Sequence, residues 1–221
     1  MTQTQNHAQL MDRVYRRQRY IYDFTRKYYL FGRDRLIREL ALKPGARVIE
    51  VGCGTARNLI KIAQAYPQAE FFGLDASDAM LESADASLSR AGLKGKVKLV
   101  QAYAEALSPQ LFGESQPFDA IIFSYSLSMI PDWKQALASA GSSLSADGRI
   151  HVVDFGDLKG LGPIAEKLLR EWLALFHVAP REELLRFVEG RTPDSADLRL
   201  LPGRYAFIWR GGANTVSGIN G

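Results

Sequence analysis

The spacing of apolar residues divides the chain into three parts. Over residues 8–40, apolar and aromatic side chains recur at steps of three and four. One row runs Met11, Tyr15, Gln18, Tyr22, Thr25, Tyr29 and a second runs Val14, Ile21, Phe24, Tyr28, Phe31. This is helical spacing, with Gly32 as the expected break. After a turn at "KPGA", short apolar runs alternate with helical stretches. "VIEV", "EFFGLD", "VKLVQA", "FDAIIFSYS" and "GRIHVVDF" read as strands. Helices are predicted over Ala56–Ala65, Asp78–Arg90 and Trp133–Leu144, with a turn at Asp147–Gly148. Five strands separated by helices predict a parallel sheet covered on both faces. In the last third, helices are predicted over Pro163–His177 and Pro180–Val188. "DLRLLPGRYAFIWR" then reads as two strands joined at Pro202–Gly203, a hairpin at the sheet edge. The glycine-rich, polar "GGANTVSGING" predicts a disordered tail.

Length and composition add bounds. At 221 residues, 47% hydrophobic and 24% charged, the chain can bury a core of its own. Cys53 is its only cysteine, which excludes an internal disulfide and fits a reducing compartment. The first ten residues are polar and no stretch approaches the ~20 apolar residues of a spanning helix, so a soluble, cytoplasmic protein is the expectation. The net charge of +4 is unevenly placed: residues 1–47 carry +7 and the remainder −3. "YRRQRYIYDFTRKYYLFGRDR", Tyr15–Arg35, holds five tyrosines and seven basic residues. Such a segment suits a polyanionic partner, a nucleic acid or an anionic bilayer. His7, His151 and His177 are too scattered for a metal constellation, and no metal is expected.

The chemistry begins at "EVGCGTARN", Glu50–Asn58, on a strand-to-helix turn. Gly52 and Gly54 let backbone approach a ligand, and the helix start faces it. Asp75 ends the next strand, where a carboxylate can take both hydroxyls of a ribose. A dinucleotide site must neutralise a pyrophosphate. Glu50, two residues before Gly52, suits an amino group instead.

At this point the sequence resembles the class I methyltransferases that use S-adenosylmethionine. The acid before G-x-G, the acid ending strand two and "FD" opening strand four are matched by Glu50, Gly52, Gly54, Asp75, Phe118 and Asp119. The likeness spans roughly residues 45–210. It implies a Rossmann-like α/β fold: a seven-stranded, mostly parallel sheet ending in a C-terminal antiparallel hairpin, with an N-terminal helical lid. The implied parts are a basic and aromatic lid over 1–42, a methyltransferase domain over 43–210 and a disordered tail over 211–221. The implied cofactor is S-adenosyl-L-methionine, with S-adenosyl-L-homocysteine as product. Its implied contacts are Glu50, Gly52, Cys53, Gly54, Asp75, Ala76, Met80, Ala104 and Ser124. One position departs: Tyr103 stands where members often carry an adenine-binding aspartate, which leaves the backbone around Tyr103–Ala104 to hold the base.

Four further segments are more specific. "YRRQRYIYDFTRKYYLFGRDRLI", "YSLSMIPDW", "HVVDFGD" and "WLALFHVAPREEL" are similar to the bacterial betaine-lipid N-methyltransferases, which trimethylate the amine of diacylglyceryl-homoserine. The resemblance implies a lipid head-group amine as acceptor. It also implies peripheral association with the inner, cytoplasmic leaflet of an anionic membrane through the basic N-terminal helix, with no nucleic acid. A trimethylated product is a quaternary ammonium with no proton to donate, which aromatic faces hold at ~0.5–2 kcal/mol each. Tyr15, Tyr22 and Tyr125 are the candidates for that catalytic cage. Tyr20, Arg26, Tyr28, Tyr29, Arg33 and His177 are candidates for substrate or membrane contact. Ser126 and Ser128 are expected to border the methyl group. The alternatives are a phosphatidylethanolamine N-methyltransferase, an RNA or small-molecule methyltransferase, and a non-catalytic cofactor-binding module.

Overall fold

A computed structural model describes residues 30–174, 181–191 and 197–219. Its seven strands are β1 (Arg47–Val51), β2 (Glu70–Asp75), β3 (Val97–Gln101), β4 (Phe118–Ser124), β5 (Leu144–Phe155), β6 (Leu198–Leu200) and β7 (Ala206–Gly211). They form one sheet in the order β3-β2-β1-β4-β5-β7-β6. Pairings from β3 through β5 are parallel, whereas β7 runs antiparallel to both β5 and β6. This is the seven-stranded sheet with an antiparallel C-terminal hairpin that the strand pattern predicts.

The described helices are α1 (Arg33–Arg38), α2 (Arg57–Ala65), α3 (Asp78–Arg90), α4 (Trp133–Ser142), α5 (Pro163–Ala174), α6 (Glu182–Gly190) and α7 (Ala213–Val216). They cover both faces. Leu36, Leu59, Ile62, Leu88 and Leu173 bring α1, α2, α3 and α5 into one core cluster. Trp133, Leu137, Leu184, Val188 and Val216 bring α4, α6 and α7 into the other. Every residue of β1 is buried, as a strand covered on two sides requires. Phe72, Phe112 and Phe118 pack edge to face in the second cluster.

Three expectations change. Residues 144–149 belong to β5 rather than to a helix end and turn; a register shift between Phe118 and Ala120 absorbs "ADG" into the strand. The tail is ordered through residue 219: α7 follows β7, with Val216 2% and Ile219 7% exposed. Two apolar residues at helical spacing are enough to dock it, and the polar composition hid them. Asp119 is a staple at the far end of the sheet, accepting from the Arg47 amide at 2.9 Å and the Ser145 hydroxyl at 2.8 Å. Most of the lid expected over 1–42 lies outside the described residues, as do the segments predicted to finish the helix at His177 and to begin the next at Pro180. No described helix is long and apolar enough to cross a membrane.

The site end of β5 is braced by the chain before β7. The Gly156 amide donates to the Tyr205 carbonyl at 2.9 Å, and a Cβ at Gly156 would run into the Arg204 carbonyl oxygen. Main chain cannot swing aside as a side chain can. Gly156→Ala is therefore expected to cost about 1–3 kcal/mol. A thermal melt followed by circular dichroism should show a midpoint about 2–10 °C lower.

Candidate active site

Strand order reverses between β1 and β4, and their carboxyl ends diverge to leave a crevice. Two adjoining cavities that share Gly52 and Gly54 occupy it. One part of the groove is bordered by Asp75, Ala76, Met80, Ala104, Tyr125 and the stretch Met129–Pro131. The second cavity is bordered by Leu30, Arg33, Glu50, Cys53, Arg57 and Ser124. All nine residues expected to hold the cofactor line one or the other.

The turn after β1 is built for close approach. Gly52 and Gly54 have φ of 73° and 53°. A Cβ on Gly52 would sit 2.7 Å from Ser126 Cβ. Asp75 holds the turn: one carboxylate oxygen accepts from the Gly54 amide at 2.8 Å and the other from the Ser77 amide at 3.0 Å. Ala56, with φ 62°, starts α2 without a side-chain cap, which leaves main-chain N–H groups for a ligand.

Glu50 is 2% exposed. Its Oε1 accepts from Asn58 Nδ2 at 2.7 Å, whereas Oε2 has no partner among the described residues. Ser124 Oγ is also buried, with no partner among the described residues. Burial, against the Asn58 bond and the Arg33 charge, pushes the Glu50 carboxyl up to about 7. Two orphaned oxygens on one cavity are what the α-ammonium of a methionine tail requires, so these residues fit S-adenosylmethionine. That cofactor supplies a methyl on a sulfonium. Glu50 and Ser124 would hold its amino group, Asp75 its ribose, and Met80 and Ala104 would flank its base.

Several contacts were not legible beforehand. Asn58 is named by neither composition nor spacing; its partner lies one strand and one turn away. Glu105 lines the groove two residues beyond Tyr103, where an acid at the adenine end was sought and not found. Tyr103 is 38% exposed at the rim. Met129, Ile130 and Pro131 enter because the chain after β4 folds back over the opening.

Other expectations are corrected. Arg33, a candidate for substrate or membrane contact, is 9% exposed, donates from Nε to the Leu30 carbonyl at 3.2 Å and lines the cavity beside Glu50. The Ser126 hydroxyl is used up on the Val51 carbonyl at 2.8 Å, and Ser128 is buried with its amide on Asp154. Cys53 is a buried thiol pushed well above its usual range by burial and by Asp75, which makes it inert packing. His151 is buried far from the groove, and desolvation with Arg210 and Arg149 nearby lowers it to about 4. Tyr125 lines the groove but is 1% exposed, with φ 57°. Its hydroxyl donates to the Phe31 carbonyl at 2.6 Å and its ring meets Phe155 edge to face. Tyr15, Tyr20, Tyr22, Arg26, Tyr28, Tyr29 and His177 lie outside the described residues. Among the described residues no group of three His, Cys, Asp or Glu can hold a metal.

Comparison with known proteins agrees with this geometry. A family model described as a methyltransferase domain matches residues 42–189. The ubiquinone/menaquinone biosynthesis C-methyltransferase UbiE of Syntrophotalea carbinolica is 31% identical over 198 residues, covering 87% of this chain and 75% of that protein. A demethylmenaquinone methyltransferase of Geobacillus kaustophilus is 33% identical over 106 residues, 48% of this chain and 43% of that one. Among solved structures, the S-adenosylmethionine-dependent methyltransferase SibL in its apo form aligns with a TM-score of 0.62 at 22% identity, over 87% of this chain and 57% of that one. A SAM-dependent methyltransferase from Aquifex aeolicus aligns with a TM-score of 0.57 at 17% identity, over 84% and 91%.

The buried carboxylate sets stability against binding. Its folded pKa, about 7, lies above the usual 4.5. The stabilisation that comes from its bound proton is complete below about 4.5 and lost as pH rises through about 7. Glu50→Gln removes that ionisation and should raise ligand-free stability at pH 8 by about 1–3 kcal/mol, with little change at pH 4. The same variant should bind S-adenosylmethionine about 10–100-fold more weakly by calorimetry, since a charged partner for the ammonium is gone.

Proposed function

This chain belongs to the class I S-adenosylmethionine-dependent methyltransferase family, and from that premise we propose that its acceptor is a lipid head-group amine. The specific reaction is the trimethylation of diacylglyceryl-homoserine to a betaine lipid, carried out at an anionic membrane surface.

One observation carries this reading. The chain that leaves the tyrosine- and arginine-rich stretch runs directly onto the site. Leu30 and Arg33 line the cavity beside Glu50, and the Phe31 carbonyl receives the Tyr125 hydroxyl from the end of β4. The described end of that segment, Leu30–Arg33, thus borders the cofactor groove. Tyr125 adopts a left-handed backbone that costs a bulky residue of order 1–3 kcal/mol, and its tie to Phe31 helps to offset that strain.

The chemistry suits an amine. A neutral amine attacks the methyl carbon with its own lone pair, so placement and exclusion of water supply most of the acceleration. The ionisable side chains on the described groove are Arg33, Glu50, Cys53, Arg57, Asp75, Tyr103, Glu105 and Tyr125. Attack by a ring carbon calls in addition for removal of a proton. The homoserine carboxylate of the acceptor suits a guanidinium, and Arg26 and Arg33 are the candidates.

A second reading is methylation of a quinol carbon. It is favoured by the 31% identity to the UbiE C-methyltransferase over three quarters of that protein's length. Incubation with labelled S-adenosylmethionine separates the two. The acceptors are diacylglyceryl-homoserine, phosphatidylethanolamine and a demethylated quinol in mixed vesicles, with products read by mass spectrometry. Label on diacylglyceryl-homoserine, ending in the trimethyl species, is expected. Label confined to the quinol would assign the second reading, and label confined to phosphatidylethanolamine would remove the carboxylate requirement. In the same assay Tyr22→Phe should keep most of the activity and Tyr22→Ala should lose it, because a ring face rather than a hydroxyl holds the product cation.

A further inference from the structure

Three of the segments that carry the specific resemblance, the turn after β4, the end of β5 and the approach to α6, supply none of the polar groups assigned to the cofactor. They meet at Ser128. The Asp154 side chain is fully buried, at 0% exposure, near the carboxyl end of β5. One of its oxygens accepts from the Ser128 amide at 3.0 Å, and the other from the Phe155 amide at 2.8 Å. Arg181, immediately before α6, donates from Nε to the Ser128 carbonyl at 2.9 Å and from Nη1 to the Pro131 carbonyl at 3.3 Å. Both main-chain polar groups of Ser128 are therefore gripped, the N–H by a carboxylate and the C=O by a guanidinium. The partners lie 26 and 53 residues away in sequence.

The next three residues, Met129, Ile130 and Pro131, are a wall of the cofactor groove. A buried carboxylate is a costly way to hold a turn, since a neutral side chain can accept the same bond without the loss of hydration. Burial pushes Asp154 up to about 6, against the Ser128 and Phe155 donors and the Arg181 charge, and Tyr125 in turn feels its field. Ser128 is thus held at both its N–H and its C=O.

We propose that Asp154 and Arg181 form a positioning pair that fixes the 127–131 turn as the wall against which the methyl acceptor is seated. The pair touches neither cofactor nor reacting atoms. It acts through Met129–Pro131, and it joins the α5–α6 region to the methyl-transfer end of the groove. The inference rests on the methyltransferase reading but not on which acceptor is used. A misplacement of about 1 Å at a reacting centre costs on the order of 100-fold in rate, which is the leverage such a wall has.

The test uses the full chain with Arg181→Gln, Arg181→Lys and Asp154→Asn. Arg181→Gln should lower kcat about 10–100-fold on whichever acceptor the panel identifies, while affinity for S-adenosylmethionine stays within about twofold by calorimetry. Arg181→Lys keeps the charge without the fork and should recover part of the rate. Asp154→Asn should show the same split, because its amide cannot accept from both N–H groups. Hydrogen exchange of the peptide spanning residues 126–131, read by mass spectrometry, should quicken in Arg181→Gln while the rest of the sheet is unchanged. Unchanged exchange in that variant would overturn the pair even if no acceptor of the panel were methylated, an outcome that separately defeats the lipid-amine reading. Equal losses of cofactor affinity and rate would overturn it too, by making the turn part of the cofactor site.

Discussion

The structure is organised around a carboxylate that the fold cannot satisfy alone. Glu50 lies one residue from the end of a fully buried strand, has one oxygen on Asn58 and presents the other to a cavity without a partner among the described residues. An unpaired buried acceptor costs about 1–3 kcal/mol. Everything nearby is arranged to make that tolerable until an ammonium arrives. Gly52 lets the chain turn away at once, Asp75 pins the turn, and Arg33 supplies positive charge from the N-terminal side. The strain is kept at one end of the sheet, where β1 and β4 part, and the opposite end is closed by ordinary staples such as Asp119 on Arg47.

A second constraint links chain segments that the fold would otherwise leave independent. Tyr125 is held in a left-handed conformation at the end of β4, with its ring among Phe155 and the core and its hydroxyl on Phe31. The same strand end leads into the turn gripped by Asp154 and Arg181. Three distant parts of the sequence, residues 30–33, 125–131 and 181, thereby converge on one rim. The cofactor pocket is made by the first half of the sheet. The rim above it is made by contributions from before and after that half.

The matched methyltransferase model covers residues 42–189, and the 31% identity to the UbiE C-methyltransferase runs over 87% of this chain. Sulfonium chemistry makes the same demands in each: an acid for the amino group, an acid for the ribose and a glycine turn between them. Nothing in those demands distinguishes carbon from nitrogen.

Strand and helix periodicity, the glycine turn and its two acids were legible in the sequence, because each depends on residues within a few positions of one another. Helix Asp78–Arg90 and the strand ending in Asp75 fall where the pattern puts them, and all nine cofactor candidates border the groove. The Asn58 bond to Glu50 and the inward turn of Arg33 were not legible. Nor were the docking of Val216 and Ile219 or the grip on Ser128. Each is a meeting of residues that only packing brings together, and a lone asparagine or arginine carries no periodic signal of its partner. The sequence by itself determined that this is a sheet carrying a cofactor turn behind a basic, aromatic segment. Only the tertiary structure decided which charges face inward, because burial and hydrogen-bond partners are properties of long-range contact and not of spacing along the chain.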